Sequence, residues 1–509
     1  MTPRGVLLAS TVIGLTVGTS AARAQQPPRL EKIQTVVMIY AENRSFDNLY
    51  GYFPGANGLA DLTAHPQLDR DGMPLKELPP VWGGLTAKGV IPAVPQSATE
   101  HIQAGPFAVD DPKGLNTGFG VTTHDLWHRF YQNIVQIDGG RNDKFVAWAD
   151  SGGLVMGHYD GSSLPMWPVA KKYVLADNFF MGAFGGSFLN HVYLACACAP
   201  VYPDADKSPA RPSISAVEPD GVTLKVAADS PKSAMDGIPI FVSDGNITPD
   251  FYAVNTMQPP YQPSANKPAP GGDPALADPS KPTTLPPQHE ATIGEFLSAK
   301  GTSWAWYAGA WQATLDGKDA KPVPNFQYHH QPFNYFADYA PGTAARAQHL
   351  LDGGMGGEKF IAAIDAGTLP RVVFYKPQGN LNEHAGYTDI ESGDRHIADV
   401  IAHLERSPQW AHMLVVVTYD ENGGWWDHVA PPKADRWGPG TRIPAVIISP
   451  YAKRGTVDHT QYDTDSFLRF VTERFGLPEL PGLKLRDDSL KAHGEPPMGD
   501  LTAALDLTR

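Results

Sequence analysis

Two stretches of this chain place oxygen donors directly after apolar runs. Thr35 to Tyr40 is followed by Ala41-Glu42-Asn43-Arg44-Ser45-Phe46-Asp47. Met413 to Tyr419 is followed by Asp420-Glu421-Asn422-Gly423-Gly424-Trp425-Trp426-Asp427-His428. Glu42, Asn43, Asp420 and Glu421 could converge on one divalent cation, because three carboxylates packed together without one would repel and be forced to protonate. That donor set suits Mg, Ca or Mn, with Zn still open. The competing reading is structural, since such residues also cap helices and start turns. Two clusters on two separate apolar runs favour the metal.

A third cluster, Gly185-Gly186-Ser187-Phe188-Leu189-Asn190-His191, follows Tyr173 to Phe180. A serine beside two glycines can be approached closely by a substrate. Its hydroxyl is a weak nucleophile until a base or a metal activates it. Leu189 stands where a Gly-x-Ser-x-Gly elbow needs its second glycine, which disfavours a carboxylester hydrolase and favours metal activation. Taken alone, Gly-Gly-Ser is also a common turn. Histidines occur at His124 in Thr123-His124-Asp125, at His329-His330 and at His384 in Asn382-Glu383-His384-Ala385, but spacing alone does not select these among 17.

Strands must present these groups. Thr35 to Tyr40, Arg371 to Tyr375, Met413 to Tyr419 and Ala445 to Ser449 are short apolar runs without alternation, as expected of strands covered on both faces. Ile397, Val400, Ile401 and Leu404 form one helical stripe, and Phe467, Phe470, Val471 and Phe475 another. The expectation is an α/β fold, a central mostly parallel sheet flanked by helices on both faces, with long loop insertions or a smaller second domain. Ligand sites in such sheets lie at the carboxyl ends of the strands. Met257 to Pro287 holds ten prolines in 31 residues, so an irregular Pro-rich insertion is expected at about 200–290.

The net charge of -14 argues against nucleic acid as a partner. An anionic substrate must then be attracted locally, by a metal or a few cations. Residues 1–24 read as a secretory signal: Arg4, the apolar run Val6 to Gly18, then Ala22-Arg23-Ala24. The run is too short to span a bilayer, and no integral membrane segment is expected once the signal is removed. Without a twin arginine, the general secretory route to the periplasm or medium is expected, leaving 25–509 as one functional domain. Cys196 and Cys198 are separated by one residue, which is poor geometry for a disulfide. Their alanine neighbours favour small buried core residues over a reactive or metal-binding pair.

The pair Glu42 to Asp47 and Asp420 to Gly424 resembles the bacterial phosphoesterase family of phospholipases C and acid phosphatase A enzymes, over residues 33 to about 480. That family is distantly related to alkaline phosphatases and arylsulfatases. The resemblance implies a metal at Glu42, Asn43, Asp420 and Glu421, Ser187 as nucleophile, and Asn190 as a phosphate-binding neighbour. It further implies that His124, His329, His330 and His384 are active-site histidines. Phospholipase C members usually carry a Pro-Asn-Arg stretch near a threonine nucleophile and often a twin-arginine signal; this chain carries neither, which favours the acid phosphatase branch. Expected is an exported phosphoesterase acting on small phosphorylated substrates through a phosphoserine. The alternatives are a phospholipase C acting at a phospholipid head group, approached past Trp304, Trp306, Trp311, Trp425 and Trp426, and a non-catalytic exported binding protein. The sulfatase motif, Cys or Ser-x-Pro-x-Arg, is not seen.

Overall fold

The computed structural model describes Met1 and residues 30–62, 65–318 and 325–508. Apart from Met1, the signal expected at 1–24 lies outside the described residues. One sheet contains β1 (Thr35–Ala41), β2 (Val174–Ala176), β3 (Trp304–Gly309), β4 (Leu350–Gly354), β5 (Val372–Lys376), β6 (Met413–Tyr419), β7 (Ala445–Ile448) and β8 (Thr456–Asp458). Their spatial order is β8-β2-β7-β6-β1-β5-β3-β4. Neighbours run parallel except around β7, which opposes both β2 and β6. The four apolar runs form β1, β5, β6 and β7, each buried along its whole length.

Packed against the sheet or at its ends are α1 (Phe46–Tyr50), α2 (Met166–Lys172), α3 (Ser187–Cys196), α4 (Glu358–Asp365), α5 (Ile390–Arg406) and α6 (Thr464–Phe475). The two helical stripes are the buried faces of α5 and α6. Adjacent residues of β5 report the two sides of the sheet. Phe374 meets Phe467 of α6 at 5.6 Å between ring centroids. Tyr375 stacks on Phe360 of α4 at 4.2 Å and its hydroxyl lies 2.7 Å from His396 Nε2 of α5. Successive strand residues point to opposite faces, so α6 covers one face and α4 with α5 the other. Each fully buried aromatic contributes roughly 1.5–3 kcal/mol relative to exposure.

Residues 214–292 contain no helix or extended strand; isolated bridges such as Val226 to Phe241 and Tyr261 to Leu276 order them. Arg70 ties this stretch down by donating to the carbonyls of Pro231, Ser233 and Gly237. The expectation for the cysteines is corrected: Cys196 and Cys198 form a disulfide. Helix α3 ends at Cys196, and Ala197 takes a left-handed conformation (φ 49, ψ 40) that turns the chain back. The two Cα atoms thereby come to 5.1 Å, within the range a disulfide spans.

Candidate active site

The site lies beyond the carboxyl ends of three adjacent strands. Glu42 follows β1, Lys376 ends β5 and Asp420 follows β6. Asn43 adopts φ 64, a left-handed conformation that asparagine tolerates better than most residues. This aims its N–H at Asp420 Oδ1, 3.1 Å away. The Arg44 N–H then donates to the Glu421 carbonyl at 3.1 Å. Its guanidinium donates to the Glu383 carbonyl at 2.7 and 3.2 Å, tying the 382–384 loop to the same point. Ser45 caps α1 by accepting from the Asn48 N–H, and its hydroxyl donates to the Trp426 carbonyl at 2.7 Å.

Ser187 opens α3. The two glycines before it are required by close approach: a Cβ on Gly185 would lie 2.6 Å from Phe130 N, and one on Gly186 would lie 2.6 Å from His128 O. The Ser187 hydroxyl lies 3.3 Å from Asn43 Oδ1 and 3.4 Å from Glu421 Oε1, so the serine touches both motifs. It faces a cavity of about 470 Å³, also lined by His128, Arg129, Asn255, His329, His384 and Tyr387. The first N–H groups of a helix lack intrahelical acceptors and attract anions.

Glu42, Asp420 and Glu421 are fully buried. Burial alone would push Glu42 up, but Lys376, with Nζ 2.9 Å from Oε1, and His330 hold it well below the usual range. Burial, then Glu42, pushes Asp420 up to about 7; burial, then Asp420, pushes Glu421 well above its ordinary value. Five buried donor atoms have no hydrogen-bond partner: both Glu42 oxygens, Asp420 Oδ2, His191 Nε2 and His330 Nε2. His330 Nε2 approaches Glu42 Oε1 at 2.5 Å. Such unmatched atoms are rare in folded proteins. Here they cluster, and two sets, Glu42-His191-Asp420 and Glu42-His329-His330, have donor atoms within 4.8 Å of one another. The residues present fit a divalent cation.

The structure thus brings together Glu42, Asn43, Asp420, Glu421, Ser187, His329, His330 and His384. His124 stands apart: it is half-buried, bonded through its N–H to Leu85 O, and is not among the residues lining the cavity. His128, four residues on, lines it instead, with Nε2 3.4 Å from Asn43 Nδ2 and 3.8 Å from Glu421 Oε1. Asn190 also differs from expectation. Its side chain bonds Ala183 N, Ala183 O and Gly186 O, so it braces the loop before Ser187. His191, one helical turn after Ser187, has Nδ1 2.8 Å from the Ser187 carbonyl and 3.6 Å from Asp420 Oδ2. Trp304, Trp306, Trp311, Trp425 and Trp426 are buried in the core, and Trp127 is the tryptophan on the cavity wall. Lys376 and His128 were missed by sequence reasoning. Lys376 could have been found by the rule that found Glu42, a polar side chain ending an apolar strand.

Phospholipase C B of Mycobacterium tuberculosis is 23% identical to this chain, over 94% of it and 79% of that protein. The non-hemolytic phospholipase C of Pseudomonas aeruginosa is 22% identical, over 93% of this chain and 60% of its own length. Among solved structures, a protein of the alkaline phosphatase superfamily from Vibrio parahaemolyticus aligns with 74% of this chain and 67% of its own, at 8% identity and a TM-score of 0.32. The sequence profile described as the Phosphoesterase family matches residues 33–478. With that match across most of its length, the chain belongs to the Phosphoesterase family and is a hydrolase of phosphoric ester bonds.

Proposed function

We propose that this chain is an exported, metal-dependent acid phosphatase that hydrolyses small phosphomonoesters through a phosphoserine at Ser187. One observation supports it above the rest: the Ser187 hydroxyl touches Asn43 and Glu421 at the first turn of α3, on the wall of a cavity rich in imidazole, guanidinium and amide groups. Glu42, Asn43, Asp420 and Glu421 would hold a divalent cation. Bound there, it would lower the pKa of the Ser187 hydroxyl and offset phosphoryl charge.

Ser187 Oγ attacks phosphorus, passing its proton to Glu421, which returns it when the phosphoserine is hydrolysed, and the Oγ–P bond forms as the bond to the leaving oxygen breaks. The helix N-terminus draws the remaining phosphoryl oxygens, and positioning of this kind supplies most of the catalysis in phosphoryl transfer. The leaving oxygen takes a proton from an imidazolium on the cavity wall. Water then attacks the phosphoserine, returns that proton and releases phosphate. Burial, against the pull of Glu42, lowers His330 to about 4, and burial with His330 holds His329 well below its ordinary value. Both are therefore neutral at pH 6, and the imidazole on the cavity wall nearest Asn43 and Glu421 is that of His128. Burial also lowers His128, so its imidazolium is lost as pH rises from the acid side.

A second reading is a phospholipase C. The relatives bear that name, and Trp127 on the cavity wall lies 6.0 Å from Phe241, in a segment that exposes Val222, Val226, Ile238, Ile240 and Val242. Assaying p-nitrophenyl phosphate against phosphatidylcholine vesicles separates the two. The acid phosphatase reading expects monoester turnover, faster at pH 6 than at pH 8. Turnover confined to the vesicles would overturn it in favour of the phospholipase.

A further inference from the structure

Glu383 stands in the loop between β5 and α5, one residue before His384, and adopts φ 77. Glycine or asparagine is the usual occupant of that left-handed region, and a longer side chain is strained there. Such strain persists only where the surroundings over-determine it. Here they do. The Arg44 guanidinium donates to the Glu383 carbonyl, and the Glu42 N–H donates to the Asn382 carbonyl at 2.8 Å. The Tyr419 hydroxyl, at the end of β6, donates to Glu383 Oε2 at 2.8 Å. Behind the side chain, α5 makes room with a glycine: a Cβ on Gly393 would collide with Glu383 Cγ and lie 2.8 Å from its backbone N. Glu383 is fully buried and does not line the cavity.

His384 does line it. Its N–H donates to Asn382 Oδ1 at 3.1 Å, its Nδ1 meets the Ala385 carbonyl, and its ring stacks on Tyr387 at 4.3 Å between centroids. Asn382 Nδ2 in turn donates to the Tyr387 hydroxyl at 3.1 Å. The ring so placed lies edge-on to His128 at 5.5 Å, with Nε2 3.6 Å from Glu42 Oε2. Whatever Glu383 does for the chemistry must therefore pass through the backbone it shares with His384. We propose that Glu383 is a positioning residue: its side chain, locked between Tyr419 and α5, holds the left-handed turn that stands His384 on the cavity wall against His128. This rests on the reading that the cavity at Ser187 is where phosphoesters are hydrolysed, and it adds a residue that shapes that cavity from outside.

The test reads His384 directly, by nuclear magnetic resonance of the full chain labelled with ¹³C at histidine Cε1, the resonance being assigned with His384→Gln. Burial, then Asp394, pushes the Glu383 carboxyl well above its ordinary value, so uncharged glutamine is its nearest match. Glu383→Gln should keep both the wild-type resonance and the wild-type kcat on p-nitrophenyl phosphate. Glu383→Gly suits the backbone but frees the turn. Its His384 resonance should shift and broaden, and kcat per folded chain should fall by about 10²-fold, the cost of a small misplacement, with KM changed far less. Tyr419→Phe takes away only the hydroxyl that holds Oε2 and should move the same resonance in the same direction; it decides the matter if Glu383→Gly does not fold. A native His384 resonance and kcat in either folded variant would overturn the proposal, and so would a Glu383→Gln chain as impaired as Glu383→Gly. A wild-type chain that hydrolyses no phosphoester would overturn the reading of the cavity instead, and the resonance would still decide the part Glu383 plays.

Discussion

The same two motifs build two buried acidic clusters, and these resolve their charge in opposite ways. Asp47 and Asp427 lie five and seven residues beyond Glu42 and Asp420 and are as deeply buried. Yet every oxygen there is matched. Asp47 Oδ1 accepts from Arg442 Nη2 at 2.9 Å, and Oδ2 accepts from the His428 backbone N–H at 2.7 Å. Asp427 Oδ1 accepts from Arg442 Nε at 3.0 Å and from the Val429 N–H, and Oδ2 accepts from the Asp47 N–H. At the other cluster no arginine or backbone N–H meets Glu42 Oε2 or Asp420 Oδ2, and Glu42 Oε1 is met by Lys376 at 2.9 Å and by His330. Proximity of acidic and histidine side chains is common to both clusters. What separates them is whether an arginine and backbone N–H groups have already satisfied the carboxylates. One cluster is a closed clasp; the other is incomplete without a cation.

Substitutions can break this contrast, and the largest effect is expected at the open cluster. Ser187→Ala should lower turnover on the order of 10³-fold or more, as nucleophile deletions do. Stability should change by less than about 1 kcal/mol. Metal content should persist, and phosphate should be recovered on Ser187 only from quenched wild-type enzyme. Near-normal turnover would place the chemistry elsewhere.

At the closed cluster the expected loss is stability. Arg442→Met strands two buried carboxylates and should cost about 3–5 kcal/mol in urea unfolding, as broken buried ion pairs do. Metal bound per folded chain should not change. A cost near zero would mean that the clasp holds nothing together.

pH distinguishes the clusters by a smaller margin. In the metal-free chain, burial and neighbouring carboxylates raise Asp420 to about 7 and hold Glu421 well above its ordinary value, whereas unfolded carboxyls titrate near ~4. The folded chain then keeps protons that the unfolded chain has released. The stability this gives is full below the unfolded value and is lost as pH rises through the folded one. Histidines with lowered pKa tilt the other way, but only below ~6.5, their unfolded value. From pH 6.5 to about 7 the metal-free chain should therefore lose stability through Asp420 at a rate of up to about 1.4 kcal/mol per pH unit. Metal loading, or Asp420→Asn, should reduce that slope. At the closed cluster Asp47, lowered by Arg442 and His428 against the effect of burial, loses its contribution in acid. Burial raises Asp427 to about 6, and the bond to Asp47 raises His428 against burial, so His428 adds a slope of the same sign above ~6.5 that metal should not alter. An identical profile with and without metal would dissolve the contrast.

The smallest effect is expected between the clusters. Ser45→Ala removes the α1 cap and the bond to Trp426 O, costing about 1 kcal/mol while both clusters keep their character. A loss of metal on that substitution would show that the two clusters are coupled.

The centre of the fold was legible because β1, β5 and β6 are buried on both faces and must read as unbroken apolar runs. Their carboxyl ends then mark where Glu42 and Asp420 emerge. Other parts were not legible. Strand β4 reads Leu350-Leu351-Asp352-Gly353-Gly354, and nothing in that composition announces a strand. His124 and His128 lie near the same aspartate, and only the packing of Gly185 and Gly186 against residues 128–130 shows which imidazole reaches the site. The disulfide depends on one left-handed alanine at a helix end, and an alanine there gives no signal. The open and closed clusters look alike in sequence because Arg442, which closes one of them, comes from a different part of the chain.

The central position of β1 also constrains how the protein comes into being. Its two neighbours are β5 and β6, and Asn43 meets Asp420 across 377 residues of chain. During synthesis the first strand emerges long before either partner exists, so it must wait, apolar and unpaired, while most of the polypeptide follows. Contacts this distant in sequence make assembly slow and leave the waiting segment open to aggregation. The open cluster is then among the last features to form, because Asp420 and Glu421 must be made before Glu42 can meet them.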